Sequence, residues 1–285
     1  MHNILIFLVT IGFSSVIVAE DCECNKETIL SNSAAVAYEK VPKYKHGEPY
    51  YFQEHRLFRS YLDDSGEQLE DFFHAWKDSS VGISKRELKS APPVISSAYK
   101  IFEDFYQPKN LSRIGKPEWG TDQFKSVKYF IVQKDLNVVI AKKLKENISL
   151  SDSPPILDIT INNFRPNLKG DTPALFLTDT YQRVLESFLG SEELPVGHGG
   201  LMNPSVAKGE SEKRQKYLNS QLKIYHGHWG GWRYVTDPTV TSIVFNKSLN
   251  KAIVRFSLVY EGGHAIYRFK KGKWILQESR LTWIS

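Results

Sequence analysis

Apolar and polar side chains alternate along the last third of the chain. The clearest case is Ala252–Tyr260, where an apolar residue occupies every second position. A period of two predicts a strand with one apolar face. Similar patterns predict three further strands at Val240–Phe245, His264–Lys270 and Lys273–Trp283. Turn signals separate these segments at Asn246–Asn250, Gly262-Gly263 and Lys271-Gly272. The pattern therefore predicts a four-stranded antiparallel meander.

Helical periodicity marks segments closer to the N-terminus. Glu67–Trp76 places four large apolar side chains on one helix face, and Asp64 or Ser65 is suited to cap its start. The other predicted helices are Val94–Tyr106, Thr178–Leu189 and the polar segment Ser211–Leu222. Runs rich in β-branched and aromatic residues predict strands within Ser126–Ile140 and Ile156–Phe164.

These elements predict an α+β fold in which C-terminal helices pack on a curved antiparallel meander, preceded by a mixed α/β region. We expect four parts: a leader at 1–19, a polar N-terminal arm at 20–50, a mixed helix–strand region at 51–177 and an α+β domain at 178–285.

The segment Tyr267–Leu276 has the sequence YRFKKGKWIL. It resembles the end of the nuclear-transport-factor-like, or ketosteroid-isomerase-like, α+β cone, whose members often finish with a strand, a glycine turn and a closing strand. The resemblance covers the last third of the chain and implies a cone with a pocket. Members include small-molecule enzymes and non-enzymatic binding domains. None of the family's catalytic carboxylates can be matched to a residue here.

The N-terminus carries an apolar run from Ile4 to Val18, and no charged side chain precedes Glu20. Its length is short for a membrane span and suits the core of a signal peptide with Ala19 before the cut. An uncleaved anchor is the alternative. Cleavage predicts an exported, periplasmic or extracellular protein that keeps no stable membrane anchor.

Two cysteines, Cys22 and Cys24, follow the expected cut. Because Asp21 rather than a small residue precedes Cys22, the sequence does not favour a lipid anchor. The pair could close a small disulfide, pair between chains or stay reduced. Two cysteines in a tail cannot hold a core together, so the fold must rest on burial of apolar side chains.

The chain has 285 residues, of which 41% are hydrophobic and 13% aromatic, and its net charge is +5. This composition is typical of a globular protein. Basic residues cluster at Lys142, Lys143 and Lys145, and again at Arg268, Lys270, Lys271 and Lys273. Such clusters indicate contact with anionic surfaces or nucleic acid, or they are solvated faces. An excess this small favours solvated faces, and no nucleic-acid partner is expected.

The segment Tyr225–Tyr234 concentrates histidine, glycine and aromatic residues. On a strand, His226 and His228 would share one face about 7 Å apart, a spacing that metal sites use. His198 and His264 could complete the ligand set, with Asp237 or Glu261 supplying a carboxylate. This hypothesis gives a zinc or similar divalent metal site with hydrolytic chemistry. A tight glycine–aromatic turn at a sheet edge, in which these rings simply pack, is favoured over it.

The same segment also suits a ligand-binding surface. Flat aromatic rings beside a guanidinium can bind a sugar or a peptide. The candidate ligand-binding residues are Tyr225, Trp229, Trp232, Arg233 and Tyr234.

Common catalytic motifs are absent from the sequence: it holds no Gly-x-Ser-x-Gly, no His-Glu-x-x-His and no phosphate-binding glycine loop. We therefore expect a non-enzymatic exported module without a cofactor that binds a small ligand, a glycan or a protein. The alternatives are a metal-dependent hydrolase using the His-x-His site and a structural envelope component.

Overall fold

The computed structural model describes residues 50–115, 124, 126–144, 154–190, 206–207, 209–226 and 231–284. The predicted leader, the polar arm and the cysteine pair lie outside these residues. Lys43–Ser285 form one compact unit. Within the described ranges, no helix is both long enough and apolar enough to cross a membrane.

Six α-helices and one 3₁₀ helix lie in the described residues. The α-helices are α1 (Tyr50–Leu62), α2 (Gly66–Ser79), α3 (Lys85–Ser90), α4 (Pro93–Phe105), α5 (Asp179–Leu189) and α6 (Glu210–Leu218), and the 3₁₀ helix is Leu111–Ile114. The predictions of α2, α4, α5 and α6 are confirmed, whereas α1 and α3 were not predicted. Local chemistry explains the boundaries. Ser65 accepts a hydrogen bond from the backbone N–H of Gln68 at the start of α2, and Thr178 does the same for Tyr181 at the start of α5.

Ten strands complete the described elements. They are β1 (Phe130–Val132), β2 (Leu136–Ala141), β3 (Leu157–Ile161), β4 (Ala174–Phe176), β5 (Tyr225–His226), β6 (Trp232–Arg233), β7 (Thr239–Asn246), β8 (Lys251–Leu258), β9 (Glu261–Lys270) and β10 (Lys273–Ile284). Six of them form one sheet in the order β10-β9-β8-β7-β2-β3. The α+β class and the antiparallel meander β7–β10 are confirmed. The meander is extended by β2, which pairs with β7 in parallel, and by β3.

The β8–β9 turn differs from its prediction. Gly262-Gly263 was expected to form the turn, and this is wrong: Leu258 pairs with Glu261, so Val259 and Tyr260 make the turn and both glycines lie in β9. A Cβ atom on Gly263 would lie 2.1 Å from the carbonyl oxygen of Arg280. Glycine is therefore needed because the β10 backbone approaches closely. The Lys271-Gly272 turn is confirmed, and both residues have positive φ, 49° and 79°.

The apolar side chains form two clusters. The sheet cluster lies between one face of the six-stranded sheet and α4, and it includes Phe102, Val138, Phe256 and Tyr267. The helix cluster joins α1, α2, α5 and α6 to the small β1–β4 pair. Each cluster takes residues from both sides of position 178, the expected domain boundary.

Trp76 lies at the centre of the helix cluster. Its indole stacks on Tyr181 with centroids 4.2 Å apart, and its Nε1–H donates to the carbonyl of Phe176 at 3.0 Å. This hydrogen bond ties α2 to β4, and the stacked ring ties α2 to α5. The helix cluster thereby fixes α5, whose exposed side borders the candidate site.

Candidate functional site

The histidine–aromatic segment folds back on itself as a short antiparallel pair. Tyr225 of β5 lies opposite Arg233 of β6, and His226 lies opposite Trp232. The His226 and Trp232 rings meet edge to face with centroids 4.7 Å apart. His228 and Trp229, which belong to the same segment, lie outside the described residues.

Trp232 is fixed at its polar end. Its indole Nε1–H donates a hydrogen bond of 2.7 Å to the carbonyl oxygen of Gly190, the residue that ends α5. The ring is half-buried. This bond fastens the β5–β6 pair to the C-terminal end of α5.

Arg233 is held by three hydrogen bonds. Its Nη1 donates to the carbonyl of Val259 at 2.8 Å, and its Nη2 donates to Asp237 Oδ1 at 2.7 Å and to Ser257 Oγ at 3.3 Å. The Arg233 side chain is 27% exposed, whereas that of Asp237 is 3% exposed. The guanidinium is thus fixed at its base and still reaches the surface.

Asp237 receives hydrogen bonds on both carboxylate oxygens. Oδ1 accepts from Arg233 and, at 3.4 Å, from Thr239 Oγ1, while Oδ2 accepts from the backbone N–H of Val259 at 3.0 Å. Burial raises the pKa of the Asp237 carboxyl above its ordinary value, and the Arg233 charge and these hydrogen bonds oppose the rise only in part. Asp237 therefore serves as a buried brace that joins β6, β7 and the β8–β9 turn.

Tyr225 also responds to this ion pair. Burial, aided by the negative charge of Asp237 and opposed by Arg233, raises the pKa of the Tyr225 hydroxyl to about 12. Tyr225 is therefore a neutral phenol at physiological pH, able to donate a hydrogen bond.

A groove of about 560 Å³ opens above Arg233. One wall is the segment 231–235, and the other comes from Gln182 and Glu186 of α5. Thr239 and Ser257 contribute from the neighbouring ends of β7 and β8. We call this the Arg233 groove. It combines a cation, a carboxylate, small hydroxyls and aromatic rings in one concave surface.

The α5 wall is ordered by its own side chains. Gln182 Nε2 donates to Glu186 Oε1 at 2.8 Å, one helical turn along. Burial and the negative charge of Glu186 raise the pKa of the Tyr234 hydroxyl. The groove therefore has an acidic wall on α5 and a basic wall on β6.

The four candidate metal ligands are not seen together. His226 is exposed on β5, whereas His264 is buried in β9, where its Nε2 accepts a hydrogen bond of 3.1 Å from Arg280 Nε. His198 lies outside the described residues, as His228 does. In the part of the chain that is described, no group of three or more His, Cys, Asp or Glu side chains could hold a metal ion. The zinc hypothesis stays a prediction.

Three of the predicted ligand-binding residues, Trp232, Arg233 and Tyr234, line the groove. Tyr225 lies beside it, in register with Arg233. The α5 residues Gln182 and Glu186 were not singled out from the sequence, because an exposed helix face carries no local sign of what it borders. The sequence suggests Asp237 only as a metal ligand, whereas in the structure its carboxylate accepts a hydrogen bond from Arg233.

No protein-family model, no curated protein and no solved structure matches the chain. The resemblance of the C-terminal strands to the nuclear-transport-factor-like cone stays a prediction. The candidate site rests on its own geometry.

Proposed function

We propose that the Arg233 groove binds a small ligand that carries a carboxylate, and that the protein is a non-enzymatic binding module. The proposal rests on the hydrogen-bond donors of Arg233. A guanidinium has five N–H donors, and three hydrogen bonds from Arg233 are formed within the described part of the chain. The Nε–H and one Nη1–H have no acceptor among the described residues, and a ligand carboxylate can accept a charge-assisted hydrogen bond from either of them.

The rest of the groove narrows the ligand class. The half-buried ring of Trp232 offers a surface of the kind that packs against the apolar face of a sugar. Gln182 and Glu186 on the opposite wall can accept hydrogen bonds from hydroxyl groups. An acidic sugar, such as a uronic acid or a short chain of them, meets all three requirements. A volume of about 560 Å³ falls within the usual range for small-ligand sites.

Export completes the proposal. The apolar run Ile4–Val18 and the small residue Ala19 support removal of a leader, after which the protein would meet its ligand outside the cytoplasm. Periplasmic and extracellular spaces are both compatible with this.

Calorimetric titration with glucuronate and with glucose tests the proposal. Glucuronate is expected to bind at least about tenfold more tightly than glucose, because hydrogen bonds to a charged partner contribute about 1.5–3 kcal/mol. Arg233→Gln is expected to abolish this preference.

Arg86→Gln is the matched control, since it removes the same charge from the exposed surface of α3. It should leave the preference for glucuronate unchanged. Equal affinity of the wild-type protein for both sugars, or an unchanged preference in Arg233→Gln, contradicts the proposal.

A further inference from the structure

Cations that are far apart in the sequence meet at one end of the six-stranded sheet. Lys142 and Lys143 directly follow β2, and Ala141 of β2 pairs with Asn246 at the end of β7. The β7–β8 turn adds Lys247, and Lys251 at the start of β8 pairs with Arg268 of β9. The β9–β10 hairpin then adds Lys270, Lys271 and Lys273. We call these eight cations and the strand ends that carry them the basic end.

The charge of the basic end is not balanced locally. Leaving Lys251 aside, none of these cations forms an ion pair in the described ranges. The side chains are exposed except that of Lys251, which is half-buried. Seven exposed cations without an ion-pair partner in the described ranges therefore lie at one end of the sheet.

Exposed apolar side chains lie among these cations. Five large apolar residues of the described chain are strongly exposed, and three of them are at the basic end: Ile156 at 48%, Phe269 at 44% and Ile275 at 43%. Ile156 donates its backbone N–H to Ile140 of β2, which brings it beside Lys142. Ile275 pairs with Arg268. An isoleucine therefore flanks the cations at each edge of the sheet.

We propose that the basic end docks on an anionic lipid surface. Lysine and arginine supply electrostatic attraction, and partly exposed apolar side chains add binding by entering the boundary of the acyl chains. Of the three exposed apolar side chains, only Phe269 has a ring on which a base could stack, and that ring already packs against Trp274 with centroids 5.3 Å apart. The two isoleucines therefore favour a lipid surface over a nucleic acid.

The geometry leaves the Arg233 groove open while the basic end is docked. Thr239 of the groove and Asn246 of the basic end are at opposite ends of β7. At about 3.3 Å per residue, seven steps along the strand separate them by roughly 23 Å. The docking proposal does not depend on what the groove binds.

Vesicle co-sedimentation of the full chain tests the proposal. Partition coefficients are measured for vesicles of phosphatidylcholine alone and for vesicles of equal parts phosphatidylcholine and phosphatidylglycerol, and the readout is the ratio of the two. The apolar leader has no charged side chain, so its contribution is similar for both vesicles and largely cancels in the ratio. We expect a ratio of at least about tenfold that falls as salt is added.

The variant Lys270→Gln/Lys271→Gln/Lys273→Gln removes the cations of the hairpin. It is expected to lower the ratio by at least about tenfold, because each cation near an anionic surface contributes roughly fivefold. Lys85→Gln/Arg86→Gln/Lys89→Gln removes the same charge from α3 and should leave the ratio close to that of the wild type. Both triple variants change exposed side chains, and thermal unfolding checks that each remains folded.

A second variant addresses the apolar part. Ile156→Ser/Ile275→Ser is expected to weaken binding to the anionic vesicles several-fold while keeping its salt dependence. A wild-type ratio near one overturns the proposal, as does an equal loss in the two triple variants. Tight binding to heparin or duplex DNA without a preference for anionic vesicles also overturns it and assigns the surface to another polyanion.

Discussion

Arg233 Nη2 lies 2.7 Å from Asp237 Oδ1, and the carboxylate beneath it is almost fully buried while the guanidinium reaches the groove. Asp237 also accepts the backbone N–H of Val259, and Arg233 donates to the carbonyl of the same residue. The two side chains therefore clamp the β8–β9 turn between them. The orientation of Arg233 in the groove depends on this clamp, and Asp237 is a positioning residue.

Replacing Asp237 with asparagine tests the clamp. An asparagine can offer one side-chain oxygen, so either Arg233 or the Val259 N–H loses its acceptor. We expect the free energy of unfolding to fall by about 2 kcal/mol, because a buried donor is left without a partner. Urea unfolding measures the change. Asp71→Asn on the exposed side of α2 is the control and should stay within about 0.5 kcal/mol of the wild type.

The same variant gives a prediction for pH. Burial raises the pKa of Asp237 in the folded state above its ordinary value of 3.8, so the folded protein binds this proton more tightly than the unfolded chain does. The stability that the proton contributes is fully present below 3.8 and is lost as the pH rises through the folded pKa. The stability of the wild type relative to Asp237→Asn should therefore decrease as the pH is raised from 3.8. If this relative stability instead increases as the pH rises through 3.8, the pKa of Asp237 is lowered in the folded state and the prediction is wrong.

Trp232→Phe tests how the groove wall is attached. The variant loses the hydrogen bond to Gly190 and should lower the free energy of unfolding by about 1 kcal/mol more than its control. The control is Trp274→Phe, because the buried Nε1 of Trp274 has no hydrogen-bond partner in the described structure. Both changes remove the same atoms. Urea unfolding curves for the two variants supply the comparison, and equal losses would mean that the Gly190 bond contributes nothing.

Gly263→Ala tests the corrected position of the β8–β9 turn. The added Cβ would lie 2.1 Å from the Arg280 carbonyl, so β10 must move and the free energy of unfolding should fall by about 2 kcal/mol. Gly66→Ala is a suitable control, since nothing lies within 4 Å of a Cβ there, at the start of α2. Thermal unfolding should rank Gly66→Ala near or above the wild type. If Gly263→Ala has wild-type stability, the placement of Gly263 in β9 is contradicted and a turn at Gly262-Gly263 is favoured.

Cleavage of the leader is tested by expression with the natural N-terminus in a secreting host. Terminal sequencing of the released protein should begin at Glu20, because Ala19 is the small residue before the expected cut. Retention of Met1 on a cell-associated protein would support the uncleaved anchor.

Strong periodicity explains which elements the sequence could predict. The apolar face of α2 and the alternation in β8 carry enough signal on their own. The parallel pairing of β2 with β7 joins segments about 100 residues apart, and no local pattern encodes such a partner. The β8–β9 turn was misplaced for a similar reason. Gly263 is required by the close approach of the β10 backbone, which is distant in the sequence, and not by a turn.

The residues of the groove also divide into those that the sequence could predict and those that it could not. Trp232, Arg233 and Tyr234 stood out because aromatic and basic residues are unusual together on a short strand. Gln182 and Glu186 did not, since they reach the groove only through the packing of α5 against α1 and α2. The basic clusters meet at one end of the sheet because of the order of its strands, and no local sequence pattern encodes that order.

The most direct test of the Arg233 groove is a crystal structure of the protein soaked with glucuronate. We expect a bound sugar whose carboxylate accepts hydrogen bonds from Arg233, with a ring face against Trp232 and hydroxyls directed to Gln182 or Glu186. A sugar bound with its carboxylate turned away from Arg233, or an empty groove at a glucuronate concentration that saturates the protein in solution, would contradict it.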